Sequence, residues 1–232
     1  MKTIGLLGGM SWESTASYYR ALNEGIKQRL GGLHSAKISL VSVDFEEIER
    51  LQMSGDWESA GRILAEGASH VEAGGADFLL VCTNTMHKVA EQIQAAINIP
   101  LIHIADATAL ALKADGIKRV GLLGTRFTME EEFYRGRIRE NFGIDVLVPD
   151  TESQARISAI IYNELCLGKI DEASRNYYLD AVAQLAERGA EGVILGCTEI
   201  ALLIQQEHTP IPLYDTTALH AEAALRAALT DD

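Results

Sequence analysis

The stretch G-A-D-F-L-L-V-C-T-N-T, residues 75–85, decides the fold that the sequence predicts. An apolar run ends inside it and gives way at once to short polar residues. The same arrangement returns 114 residues further on as G-A-E-G-V-I-L-G-C-T-E, residues 189–199. An apolar strand that leads through a polar turn into a helix is typical of the repeating unit of α/β proteins.

Two further pairs of segments repeat in the same order. K-T-I-G-L-L-G-G-M (2–10) returns after 116 residues as K-R-V-G-L-L-G-T-R (118–126), and I-P-L-I-H-I-A-D-A-T (99–108) returns after 112 residues as I-P-L-Y-D-T-T (211–217). Three pairs in the same order and at nearly the same offset indicate two homologous halves.

The predicted fold class is α/β, with two pseudo-symmetric domains, each a mostly parallel sheet flanked by helices. Continuous apolar strands that alternate with helical patterns are typical of parallel sheets covered on both faces. Strands are predicted at residues 2–7, 38–43, 78–81, 99–104, 119–123, 192–195 and 211–214. The repeat assigns residues 1–103 and 214–232 to the first domain and residues 104–213 to the second. We expect the active site in the cleft between them, outside the carboxyl ends of the strands.

Composition excludes several classes of protein. The chain has 20 Lys and Arg against 33 Asp and Glu, a net charge of −13, which argues against nucleic acid and anionic membranes as partners. The N-terminus is too short and glycine-rich for a signal peptide, and no apolar run approaches a membrane span. Three cysteines argue against a disulfide framework, and no Cys or His pair has the spacing of a metal site. We expect a cytoplasmic protein.

The repeat delivers a polar or reactive residue to the same place in each half, after a strand and at the start of a helix. In the second half this residue is Cys197, and in the first half the turn V-C-T-N-T carries Thr83. A helix N-terminus lowers the pKa of a thiol from about 8.5 and offers backbone N–H groups to an anion. We therefore expect a reactive Cys197, with Asn84, Thr85 and Thr198 near a bound carboxylate.

Three motifs resemble those of the aspartate/glutamate racemase family: C-T-N-T-M-H (82–87), G-V-I-L-G-C-T-E-I (192–200) and G-L-L-G-G-M-S (5–11). The resemblance covers essentially the whole chain. It implies a two-domain enzyme that uses no cofactor. Within the family, the sequence looks like the L-aspartate/glutamate-specific branch, with threonine in place of the first catalytic cysteine. The family also contains hydantoin racemases, maleate isomerases and arylmalonate decarboxylases.

The reaction implied by this resemblance is interconversion of L- and D-aspartate, L- and D-glutamate, or both. Racemisation removes the Cα proton from one face and returns a proton to the other, so it needs two proton carriers on opposite sides of a small molecule. A two-fold repeat that projects one group from each half meets that need. The alternatives are a decarboxylase or cis–trans isomerase of a small dicarboxylate, and a non-catalytic binder of small anions.

The sequence leaves open whether Thr83 or Cys82 acts opposite Cys197. The ungapped repeat aligns Cys197 with Thr83 and Gly196 with Cys82, and neighbouring side chains of an extended chain point to opposite faces. The family commonly has a cysteine directly before Asn-Thr, and with one extra residue allowed Cys82 would hold that position. We favour Cys197 and Thr83 as the catalytic pair, with Cys82 as the alternative. Because a hydroxyl is a far weaker acid than a thiol, we expect one enantiomer to be processed better than the other.

The resemblance implies further substrate contacts. Met10 and Ser11, in the glycine-rich first turn, are expected to line the pocket. Arg156 opens a helical segment where the family usually has a lysine for the distal carboxylate, and arginine can bind a carboxylate through two parallel bonds. Gln52, with neighbouring Arg50 as its rival, falls where many members have a carboxylate-binding arginine. The resemblance also implies a homodimer.

Overall fold

The computed structural model describes residues 1–230. The chain divides into two compact units. Unit 1 comprises Met1–Ile104 and the chain from His220 onward, and unit 2 comprises Ala105–Leu219. Among the described residues, every helix is too short or too polar to cross a membrane.

Unit 1 is built on a three-stranded parallel sheet in the order β2-β1-β3. Its strands are β1 (Ile4–Gly8), β2 (Ile38–Ser42) and β3 (Phe78–Val81). Its helices are α1 (Trp12–Leu30), α2 (Phe45–Ser54), α3 (Trp57–Ala73), α4 (Ala90–Ala95) and most of α11 (Thr216–Leu229), with a 3-10 helix at Thr85–Val89. An isolated bridge between Leu79 and Leu101 continues the sheet beyond β3.

Helices cover both faces of β1 and β3 in unit 1. On one face, Leu7 and Leu79 pack in a cluster with residues of α3. On the other, Leu6 and Leu80 pack with residues of α1 and α11. All four side chains are completely buried, which explains why β1 and β3 show no polar alternation. Each such burial stabilises the fold by about 1.5–3 kcal/mol.

Unit 2 contains a four-stranded parallel sheet in the order β5-β4-β6-β7. Its strands are β4 (Arg119–Gly124), β5 (Asp145–Leu147), β6 (Val193–Gly196) and β7 (Leu213–Asp215). Its helices are α5 (Ile104–Ala114), α6 (Arg126–Glu130), α7 (Glu132–Phe142), α8 (Thr151–Asn163), α9 (Glu172–Glu187) and α10 (Ile200–Leu203), with 3-10 helices at Leu165–Leu167 and Gln206–His208.

The predicted α/β class with parallel sheets flanked by helices is confirmed, and three details differ. The strand predicted at 99–104 forms only the bridge at Leu101, because α5 already begins at Ile104. Strand β5 was not predicted, since its three residues carry no periodic pattern. The domain bounds also shift: residues 214–219, predicted in the first domain, belong to unit 2, and Ile104, predicted in the second domain, belongs to unit 1.

Two glycines at equivalent positions of the repeat let a helix approach the central strand of each sheet. A Cβ on Gly5 of β1 would lie 2.6 Å from the carbonyl oxygen of Phe78 and 2.6 Å from Cγ1 of Val71 in α3. A Cβ on Gly121 of β4 would lie 2.9 Å from Cδ1 of Leu185 in α9. The Phe78 oxygen belongs to the backbone of the paired strand and cannot move alone, whereas the end of a leucine side chain can.

Gly5→Ala is therefore expected to destabilise the protein more than Gly121→Ala. Overpacking a buried site costs about 1–3 kcal/mol, and we expect Gly5→Ala near the upper end of that range. The free energy of unfolding in urea, followed by circular dichroism, measures both effects. Gly61→Ala is the control, because its new Cβ would meet only the flexible side chain of Gln92. Equal losses for Gly5→Ala and Gly121→Ala would contradict the role given to the Phe78 carbonyl.

Candidate active site

The first turn leaves β3 at Val81 and places Cys82 and Thr83 in different surroundings. The N–H of Cys82 donates to the Leu7 carbonyl at 2.9 Å, and the Ser14 hydroxyl donates to the Cys82 carbonyl at 2.8 Å. The Cys82 side chain is completely buried among the residues of α1 and α11, and this burial raises the pKa of its thiol. Thr83 is half-buried. These positions favour the interpretation of Cys82 as a packing residue.

His87 ties the first turn to Ile104, which also belongs to unit 1. The N–H of Ile104 donates to Nε2 of His87 at 3.2 Å, so the proton of the neutral ring lies on Nδ1. Nδ1 is 2.7 Å from the Thr83 carbonyl oxygen and donates to it. The ring is buried, and its centroid lies 4.5 Å from that of His103. His87 therefore holds the backbone of Thr83 in place.

The second turn follows β6 and directs two donors to one carboxylate oxygen. Sγ of Cys197 lies 2.9 Å from Oε2 of Glu199, and Oγ1 of Thr198 lies 2.7 Å from the same oxygen. Glu199 is buried, whereas Cys197 and Thr198 keep part of their surface exposed. Since a carboxylate only accepts hydrogen bonds when ionised, Glu199 is placed to receive the proton of the Cys197 thiol.

The pKa of the Cys197 thiol is raised, so the expectation that a helix N-terminus lowers it was wrong. Burial is the largest cause, and the negative charge of Glu199 is the next. The following helix α10 has only four residues and begins three positions after Cys197, too far for a strong effect of the helix dipole. Cys197 therefore rests as a thiol, and the carboxylate that opposes its ionisation at rest is also the nearest acceptor for its proton during a reaction.

Cys166 and Tyr178 share the environment of Cys197. Cys166 contributes through its charge to the raised pKa of Cys197. The pKa of Tyr178 is itself raised by burial and then by the charge of Cys197. The Tyr178 hydroxyl donates to the Ile157 carbonyl at 3.0 Å, which connects α8 and α9 beneath the second turn.

In unit 1, Gln52 has a feature typical of a binding residue, which is a buried polar atom that needs a partner. Its side chain is only 3% exposed, and Nε2 donates to Sδ of Met86 at 2.8 Å. Its Oε1 is buried and has no hydrogen-bond partner among the described residues. An unsatisfied buried acceptor costs about 1–3 kcal/mol, so this oxygen suits a donor on a bound molecule. Met10 packs in the same cluster as Met86, and Ser11 caps α1 by accepting the Ser14 N–H at 3.3 Å.

The other predicted binding residues differ in burial. Asn84 and Thr85 are buried where the 3-10 helix begins. Arg156 does not open its helix, because Asp150 caps α8 and the helix starts at Thr151. The guanidinium of Arg156 is exposed on α8 and lies 3.9 Å over the ring of Tyr177. This contact uses the face of the guanidinium and leaves its N–H edge for a carboxylate.

Gln154 was not predicted as a site residue, yet it has the same feature as Gln52, a buried Oε1 that lacks a hydrogen-bond partner among residues 1–230. Its side chain is buried and Nε2 donates to the Pro149 carbonyl at 2.7 Å, while Oε1 has no partner in the described part of the chain. Nothing in the sequence separates it from a solvated glutamine. Asp215 was not predicted as a site residue either. It aligns with His103 in the repeat, so a comparison of the two halves could have drawn attention to this position. Burial raises the pKa of Asp215.

Comparisons with known proteins show the family to which the chain belongs. A family model described as Asp/Glu/hydantoin racemase matches residues 7–224. A crystal structure of a candidate Asp/Glu racemase from Yersinia pestis is 54% identical, with a TM-score of 0.92, over 99% of this chain and 100% of that chain. An aspartate racemase homologue from Pyrococcus horikoshii is 31% identical, with a TM-score of 0.86, over 99% of this chain and 100% of that chain. The broad specificity amino-acid racemase RacX of Bacillus subtilis is 26% identical over 178 residues, 75% of this chain and 74% of RacX.

Glu199→Gln is expected to make Cys197 more reactive. The substitution removes a negative charge that helps to raise the pKa of the thiol, so a larger fraction is thiolate at about pH 8. We expect iodoacetamide to alkylate Cys197 several-fold faster in this variant than in the wild type. Peptide mapping by mass spectrometry after timed labelling of the native protein measures the rate at each cysteine.

Glu191→Gln is the matched control, since Glu191 is exposed and makes the same change of charge. Buried Cys82 should stay unlabelled while the protein is folded. An alkylation rate at Cys197 that is unchanged or lower in Glu199→Gln would show that Glu199 does not set the pKa of this thiol.

Proposed function

Because the chain belongs to the Asp/Glu/hydantoin racemase family, we propose that it is a cofactor-independent racemase of aspartate, glutamate or both. Racemases are isomerases, and RacX of Bacillus subtilis is named as a racemase. The observation that carries the proposal is the 2.9 Å contact between Sγ of Cys197 and Oε2 of Glu199. It gives a weakly acidic thiol its own proton acceptor.

The proposed reaction moves one proton at a time. Glu199 accepts the thiol proton, and the Cys197 thiolate then removes the Cα proton from one face of the substrate. The Thr83 hydroxyl donates a proton to the opposite face of the carbanion and recovers one from solvent, and Glu199 releases to solvent the proton that it took from the thiol. Cys197 keeps the proton taken from the substrate until it exchanges. Donors around the α-carboxylate stabilise the carbanion, and Asn84 and Thr198 are proposed for this role.

The substrate contacts follow from the chemistry of each side chain. The unsatisfied Oε1 of Gln52 accepts from the α-ammonium group, which refines the sequence-based expectation of a carboxylate contact. Arg156 binds the distal carboxylate through its free N–H edge. Thr85, Ser11 and Met10 are proposed to complete the pocket.

The two proton carriers are chemically unequal, which favours a difference between the enantiomers. Thermodynamics limits the kinetic constants in which this difference can appear. The enantiomers have equal free energy in water, so kcat/KM must be the same in both directions. The preference predicted from the sequence is therefore expected in kcat, in KM and in isotope exchange. After Cys197 removes a proton, return from the exchanged thiol competes with donation by the weakly acidic Thr83.

Incubation with each enantiomer of aspartate and glutamate in ²H₂O tests the proposal. We expect deuterium at Cα by NMR and loss of circular dichroism for at least one of the two amino acids. The enantiomer whose Cα hydrogen faces Cys197 should gain deuterium faster than it inverts, whereas the other should gain it only as it inverts. Cys197→Ser should slow both processes by at least about 100-fold, since a positioned acid–base group contributes about 10²–10⁴-fold.

Thr83→Ala and Cys82→Ala together decide which residue lies opposite Cys197. We expect Thr83→Ala to suppress inversion while deuterium still enters the enantiomer that faces Cys197. Cys82→Ala should keep both activities, because Cys82 is part of the core. The reverse pattern would assign the second proton carrier to Cys82.

Two other outcomes would overturn the racemase proposal itself. Release of CO₂ from a small dicarboxylate without racemisation of either amino acid would indicate a decarboxylase. Saturable binding of the amino acids without exchange at Cα would indicate a small-anion binder.

A further inference from the structure

A second buried histidine, His220, lies close to His87 in unit 1. The centroids of the two rings are 5.9 Å apart, and both side chains are buried. Nε2 of His220 is 2.7 Å from the Ile102 carbonyl oxygen, and since a carbonyl only accepts hydrogen bonds, the ring proton lies on Nε2. Nδ1 of His220 therefore accepts from the hydroxyl of Tyr18 in α1, at 2.7 Å. Both ring nitrogens of His220 thus have a partner.

The two histidines are connected through the backbone of residues 102–104. Ile102 accepts from His220, and the N–H of Ile104 donates to Nε2 of His87. Nδ1 of His87 in turn donates to the Thr83 carbonyl. A series of hydrogen bonds therefore runs from α1 to Thr83 within unit 1, and the two rings carry their protons on opposite nitrogens.

This series requires a neutral His220, and burial keeps the ring neutral. Burial, and then the charge of neighbouring His87, lowers the pKa of His220 to about 3. A protonated ring would offer Tyr18 no acceptor at Nδ1. The series is therefore intact at neutral pH.

The backbone of Thr83 is held from both sides. Its N–H donates to the Val81 carbonyl at 2.9 Å, and its carbonyl accepts from His87 at 2.7 Å. With both groups bonded, the backbone fixes the direction in which the Thr83 side chain leaves it. The proposed reaction needs the Thr83 hydroxyl within reach of Cα of the substrate, and a misplacement of about 1 Å can cost about 100-fold in rate.

We propose that Tyr18, His220 and His87 are positioning residues for the inversion step, which hold Thr83 in place through this series of bonds. The inference rests on the proposed function, in which Thr83 reprotonates the carbanion and Cys197 removes the Cα proton. Deuterium can enter the substrate from the exchanged thiol of Cys197 without the help of Thr83. Loss of a bond in the series should therefore slow inversion more than deuterium entry, whereas general damage to the fold would slow both.

Two substitutions of His87 separate its bond to Thr83 from its bond to Ile104. The amide of asparagine can take the place of Nδ1 and keep the bond to Thr83, whereas the amide of glutamine can take the place of Nε2 and keep only the bond to Ile104. The measurement is deuterium entry and inversion in ²H₂O, with the enantiomer whose Cα hydrogen faces Cys197. We expect His87→Gln to slow inversion by at least about tenfold while deuterium entry stays within a few-fold of the wild type. His87→Asn should keep both rates within a few-fold.

Tyr18→Phe tests the far end of the series. It removes only the hydroxyl that bonds His220, and we expect inversion to fall several-fold relative to deuterium entry. Tyr134→Phe is the matched control, since Tyr134 in unit 2 is also completely buried and its hydroxyl donates to Oγ1 of Thr108 at 3.4 Å. This control should leave the ratio of deuterium entry to inversion unchanged.

A measurement on the wild type needs no variant to fold. Long-range ¹H–¹⁵N spectra of the imidazoles at neutral pH should show the ring proton on Nδ1 of His87 and on Nε2 of His220. The same tautomer in both rings, or inversion that is equally slow in His87→Gln and His87→Asn, would overturn this inference. So would a ratio of deuterium entry to inversion that His87→Gln or Tyr18→Phe leaves unchanged.

The same experiments separate this inference from the proposed function. In each of those outcomes the wild type still racemises its substrate, so only the positioning role is lost. A wild type that neither exchanges nor inverts the amino acids would overturn the proposed function and this inference with it. Circular dichroism confirms that the variants are folded.

Discussion

The constraint on which the rest of this structure depends is the burial of four strands beneath helices, β1 and β3 in unit 1 and β4 and β6 in unit 2. A strand buried on both faces has no place for an unpaired polar group except at its ends. The chain therefore changes from apolar to polar residues at the carboxyl ends of β3 and β6, and the candidate proton carriers lie in those two turns. Gly5 and Gly121 allow the cover to be close.

The two turns match in sequence but differ in their chemistry. In unit 2, the thiol of Cys197 is a poor acid because it is buried beside the Glu199 carboxylate, and the same carboxylate is its nearest proton acceptor. In unit 1, His87 contacts Thr83 through the backbone carbonyl and so sets the position of the residue. The second turn therefore sets the proton affinity of Cys197, whereas the first turn sets the position of Thr83.

The same constraint accounts for the exposure of Leu40 on the edge strand β2. Where two helices lie over one face of a sheet, the outermost strand can remain outside their reach, and β2 is such a strand. Its inner neighbour β1 is completely buried, while β2 exposes Leu40.

The sequence alone determined the α/β class, the two-fold repeat and the location of both polar turns, because apolar runs and their order along the chain are local properties. The sequence did not predict strand β5 or the end of the strand expected at 99–104, since short edge segments carry almost no hydrophobic periodicity. Only the tertiary structure decided that Cys82 is completely buried while Thr83 is half-buried. It also decided that the pKa of Cys197 is raised, and that Gln52 and Gln154 each bury an unsatisfied oxygen. Burial and electrostatic interactions depend on neighbours in space, and these neighbours can come from distant parts of the chain. Cys82, for example, is buried against residues of α11.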